Sequence, residues 1–137
     1  TCFFFINHVE PHGGGTMLCE GSHRVVEKYF SELSPDQIAA KLKSVRTRFY
    51  RYDPWIQSLT ARGDTRPDRI RMMEEGTHVH GYPCRLIELA GEPGEAYITS
   101  GSLLHATGHN ASDQPRFMRT VDIRVPHDED SEEDYDE

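Results

Sequence analysis

From Gly101 to Val125 the chain reads as a strand, a turn and a second strand, and this stretch constrains what the rest must build around it. The apolar step Leu103-Leu104 leads to His105. A Gly- and Asn-bearing turn follows, Gly108 to Gln114, and Pro115-Arg116 opens a run from Phe117 to Val125. Strand, turn, strand puts His105 near the end of one strand and Arg116 near the start of the next. An imidazole and a guanidinium then look into one cleft. A neutral imidazole nitrogen is the commonest protein metal ligand. A guanidinium holds a carboxylate through two parallel charge-assisted hydrogen bonds. Together they point to a metal with a carboxylate-bearing small molecule beside it. His109 falls in the turn, so His105 is the expected ligand. Arg116 and Arg119 are three apart and face opposite sides of a strand, so only one of them faces the cleft.

The other elements read as short strands and one helical excursion. Phe3 and Phe5 alternate with Cys2, Phe4 and Ile6, apolar on both faces, as in a central strand packed on both sides. Gly13-Gly14-Gly15 turns before a strand at Thr16 to Cys19; no Lys-Ser/Thr follows it, which argues against a phosphate loop. Ser22 is the expected N-cap of a helix with Val25, Val26, Tyr29, Phe30 and Leu33 at helical spacing. Ser34-Pro35-Asp36-Gln37 is a capping box, and its helix is expected to run to about Arg48. Residues 50–75 show little periodicity beyond a short helix near Arg69 to Glu74, and excursions of that length often serve as lids. Trp55, Arg46, Arg48, Arg51 and Arg62 are surface residues in the simplest reading and contacts for an anionic substrate in the other. His78-Val79-His80 is expected at an exposed hairpin end, followed by strands at Tyr82 to Leu89 and Ala96 to Thr99. Many short strands with Gly turns fit a mainly β, antiparallel jelly roll.

Three groups of residues, in order, resemble the motifs of the phytanoyl-CoA dioxygenase family of iron(II)- and 2-oxoglutarate-dependent oxygenases. They are His12-Gly13-Gly14-Gly15-Thr16 with Gly21-Ser22-His23-Arg24; Gly91-Glu92-Pro93-Gly94-Glu95-Ala96-Tyr97; and His105 with Arg116 one hairpin later. The resemblance covers Thr1 to about Val125. It implies a double-stranded β-helix, a cupin-like jelly roll, over residues 1–125, with a helical insertion at about 25–81 that helps set substrate choice. It implies that His105 holds iron, that Arg116 grips the far carboxylate of 2-oxoglutarate with Thr107 assisting, and that Arg119 is the fallback. It implies a dioxygenase that uses O2 and 2-oxoglutarate to hydroxylate an unactivated C–H bond of a small organic substrate. Halogenases of the same family are the variant reading, since the position that separates them is not in this chain.

By the order of these motifs the first two iron ligands, an H-x-D pair, lie before Thr1. The barrel is then expected to lack its first strands, leaving an open sheet edge that needs cover. His8-Val9-Glu10 is itself an H-x-E with both side chains on one face of an extended chain, the local pattern of a two-His-one-carboxylate site. It runs straight into the glycine turn and is expected to be loop. If His8, Glu10 and His105 did meet, the chain would carry a whole site by itself.

Composition bounds the alternatives. At 137 residues one domain is expected. A mean hydropathy of -0.68 and no long apolar run argue against a membrane span. The stretch 126–137 holds 8 of the 23 acidic residues, which leaves 15 against 15 Lys and Arg, so the body is balanced and lacks a basic face for nucleic acid. That stretch is expected to be a disordered acidic tail. Three cysteines without C-x-x-C spacing point to a reducing, cytoplasmic setting. The rival to an enzyme is a non-catalytic jelly-roll binding module or an inactive fragment.

Overall fold

The computed structural model describes residues 1–39, 42–60 and 66–123. The acidic stretch 126–137, Val125 and Arg62 lie outside the described residues. Seven strands form two antiparallel sheets. One has the order β5-β1-β7, from Ala96–Ile98, Cys2–Phe5 and Met118–Val121. The other has the order β3-β4-β2-β6, from Thr77–Val79, Tyr82–Glu88, Thr16–Glu20 and His105–Thr107. Among the described residues five helices fall between β2 and β3: α1 (Ser22–Ser31), α2 (Pro35–Ile38), α3 (Leu42–Phe49), α4 (Pro54–Ser58) and α5 (Arg66–Glu74). The framework is thus two antiparallel sheets, an arrangement compatible with a β-sandwich, and the helices are confined to one excursion.

Alternation along the strands builds two cores. Phe3 and Phe5 of β1 pack with Val9, Leu18 and Leu89 between the sheets. Cys19, Cys84 and Leu86 leave the other face of the four-stranded sheet and meet Val25, Tyr29, Val45, Phe49, Ile56 and Met72 of the helices. Each fully buried Val, Leu, Ile or Phe contributes roughly 1.5–3 kcal/mol, so the four-stranded sheet, covered on both faces, is the better anchored. The three-stranded sheet is covered on one face. β1 is central, as its sequence implies, but its second face is open toward the C-terminal end: Phe4 is 39% and Ile6 62% exposed. The excursion packs on the other sheet and leaves Phe4 and Ile6 uncovered, whereas Cys2 on the same face is buried at 2% exposure.

Local signals explain most of the helices. Ser34 Oγ accepts the Gln37 N–H at 3.3 Å and Gln37 Oε1 accepts the Ser34 N–H at 2.8 Å, a closed capping box. The helix it starts ends at Ile38, and a second begins at Leu42, where one continuous helix was expected. Asp53 caps α4, a helix not anticipated: its Oδ1 accepts the N–H of Trp55 at 2.7 Å and of Ile56 at 3.4 Å. Asp-Pro is an N-cap followed by proline at the first helical position, so the signal was present in the sequence.

The glycine turn before β2 is held from the far end of β4. Glu88 Oε1 accepts the N–H groups of Gly14 and Gly15, each at 2.9 Å, and Oε2 accepts that of His12 at 2.9 Å. A Cβ on Gly15 would fall inside the Leu89 carbonyl oxygen. The turn, the end of β4 and the residues after β6 are therefore packed backbone to backbone, which positions β6.

Candidate functional site

His105 opens β6; it does not close the preceding strand as expected. The reason lies in where the preceding backbone bonds go. The Leu103 N–H turns back to the Ser100 carbonyl at 3.1 Å. The Leu104 N–H donates to Ser22 Oγ at 2.9 Å, and the Leu104 carbonyl accepts the Cys19 N–H at 2.9 Å. Ser22, expected as an N-cap, is instead the first residue of α1 and fully buried; Gly21, at φ 81, holds the cap position with no side-chain bond.

Residues opposite one another in an antiparallel ladder share a face. Leu18, in the inter-sheet core, lies opposite His105, and Thr16 lies opposite Thr107. His105 and Thr107 thus look between the sheets, and Met17 and Ala106 look toward the helices. The His105 ring meets Phe3 edge-on, centroids 5.3 Å apart. Its Nδ1 lies 3.0 Å from the Leu103 carbonyl oxygen. A carbonyl only accepts, so this bond assigns the proton to Nδ1 and leaves the Nε2 lone pair free on an exposed ring.

The register of β7 separates the two arginines. Met118 lies opposite Phe5 and Thr120 opposite Phe3, on the inter-sheet side; Arg119 lies opposite Phe4, on the open outer face. Arg116 shares the parity of Met118. Its Nη1 approaches Met118 Sδ at 3.8 Å, and Thr16 Oγ1 approaches the same sulfur at 4.0 Å. Thr16 is the cross-strand partner of Thr107. Arg116 and Thr16 therefore meet at Met118, and Thr107 lies across the ladder from Thr16. Arg116 is half-buried and has no carboxylate partner among the described residues.

His8 and Glu10 are not brought to this place. Val9 between them is buried and bridges Gly91, which turns its two neighbours outward. His8 Nδ1 sits 3.0 Å from Glu92 Oε1, with both side chains largely exposed. Among the described residues no three of His, Cys, Asp and Glu form a group that could hold a metal ion. Of the helical arginines, Arg46 lies over the Tyr50 ring at 5.7 Å, and Arg48 Nη2 donates to the Gln37 carbonyl at 3.3 Å. The three cysteines are free and buried. The neighbouring Cys84 thiol, then burial, push the Cys19 thiol up, and the Cys19 thiol beside it lowers that of Cys84. No described helix is long and apolar enough to cross a membrane.

Two residues of consequence had no signal in the sequence. Glu88 read as an ordinary alternating strand residue, yet it holds the glycine turn. Arg69 read only as the start of a short helix, yet it lines a pocket behind the four-stranded sheet. No protein-family model, curated protein or solved structure matches the chain.

Proposed function

We propose that the chain belongs to an iron(II)- and 2-oxoglutarate-dependent dioxygenase of the phytanoyl-CoA dioxygenase type, folded as a double-stranded β-helix, that hydroxylates a C–H bond of a small substrate. One observation carries the reading: an imidazole with a free Nε2 and a guanidinium without a carboxylate partner among the described residues face the same side of the inter-sheet space. The strand order supports the fold. Strands β4, β5, β6 and β7 fall alternately in the two sheets, the exchange that a jelly roll makes.

In this reading Nε2 of His105 is one iron ligand. The bond from Nδ1 to the Leu103 carbonyl fixes the ring and its tautomer, as outer partners of metal-bound histidines do. Arg116 binds the far carboxylate of 2-oxoglutarate, and the Thr107 hydroxyl adds a hydrogen bond to it. Iron held there would supply the activation of O2. A facial triad needs three protein ligands, and in this reading His105 is one of them. The described residues do not by themselves fit the metal; the remaining ligands come from outside them.

The test is succinate release from 2-oxoglutarate by the native protein supplied with Fe(II) and O2, lost in His105→Ala. Iron-loaded protein that releases no succinate sinks the reading. The single ligand in the hollow favours a second reading, a non-catalytic jelly-roll binding module, and that result would select it.

A further inference from the structure

The second face of the four-stranded sheet carries a cavity of about 130 Å3 beneath the free edge of β6. Its walls are mostly apolar: Met17, Leu86 and Leu104 on the sheet side, Ile56 and Leu59 from α4 and its C-terminal end, with the polar Thr60, His105 and Thr107 at its border. Arg69 of α5 lines the same space. It is half-buried and has no ion-pair or hydrogen-bond partner among the described residues. Arg85, by contrast, pairs with Glu20 at 3.2 Å. A cation set against apolar walls with no partner among the described residues has lost part of its hydration without compensation from them, a costly state. An anion with an apolar body restores both interactions.

We propose that this cavity binds a small apolar monocarboxylate, its carboxylate held by Arg69 and its hydrocarbon body by the Met17, Leu86, Leu104, Ile56 and Leu59 walls. Volume sets the size. An engineered apolar cavity of ~150 Å3 takes a benzene ring, so one ring or one six-carbon chain fits and a long acyl chain or nucleotide does not. Charge sets the valence. One guanidinium balances one negative charge, and a second would be left desolvated and unpaired. His105 and Thr107 of β6 border the cavity as well, but the binding needs neither iron nor 2-oxoglutarate.

Calorimetric titration of the metal-free chain with sodium benzoate and sodium hexanoate, against benzamide and hexanamide, tests this. The acids are expected to bind about tenfold more tightly than the amides, the contribution of a hydrogen bond to a charged group. Arg69→Met should bring the acids down to the amide level. Ala106→Trp, from an exposed edge position facing this side, should plug the cavity and abolish binding. Equal affinity for acid and amide, unchanged acid binding in Arg69→Met, or no binding to the wild type overturns the proposal. Should Arg69→Met unfold, the wild type still decides: the Arg69 side-chain N–H resonance should move with benzoate and not with benzamide, and an unmoved resonance is equally fatal.

Discussion

The buried hydroxyl of Ser22 accepts the Leu104 N–H at 2.9 Å, tying the first residue of α1 to the residue before His105. The helical excursion and the strand bearing the candidate ligand are thereby held by one hydrogen bond across 82 residues. Removing the hydroxyl leaves a partly buried N–H without a partner. Ser22→Ala should cost about 1–3 kcal/mol of stability, read as a shift in the urea midpoint at unchanged slope. An unaltered midpoint would show that water replaces the bond freely.

Gly15 and Gly94 should respond very differently to alanine. At Gly15 a Cβ meets the Leu89 carbonyl, and yielding there also pulls the N–H from Glu88 Oε1. Gly15→Ala should lose the cooperative thermal transition. Gly94, at φ +89, has nothing within 4 Å of the added carbon. It should lose only the left-handed backbone penalty of about 1–2 kcal/mol. Similar melting temperatures for the two variants would contradict the packed-turn account.

The two arginines of the last hairpin should separate in kinetics. Arg116 shares the inter-sheet side with His105, and Arg119 pairs with Phe4 on the outer face. If the oxygenase reading holds, Arg116→Met raises the 2-oxoglutarate KM by an amount near the low end of the ~2–5 kcal/mol lost with a buried charge partner, since Arg116 is only half-buried. Arg119→Met should leave KM alone. The reverse pattern would move the carboxylate site to the outer face.

Tyr52 should titrate late. Burial, then the 2.6 Å bond to Glu32, pushes its phenol from 10.0 up to about 12. The folded value lies above the unfolded one, so the contribution to stability is complete below pH 10 and fades as pH rises toward 12. Phenolate absorbance in the folded protein should rise near the upper value. Glu32→Gln should lower it only in part, because burial is the larger cause. Folded protein that ionises Tyr52 at pH 10 would refute this.

What could be read from the chain alone was whatever neighbours decide. The Ser34–Gln37 capping box needs four consecutive residues, and the alternation of Phe3 and Phe5 with Phe4 needs only an extended backbone. The same alternation showed that Arg116 and Arg119 oppose each other, but not which faces inward. That was decided by the register of β7 against Phe5 and Phe4, more than a hundred positions away. Glu88 holding the glycine turn, Leu104 bonded to Ser22, and Arg69 lining the cavity without a partner among the described residues were equally invisible. Periodicity along a chain says which residues share a face. What that face meets, and which polar groups find partners there, depends on segments remote in sequence, and the free energy of burial and of hydrogen bonding is set by those partners.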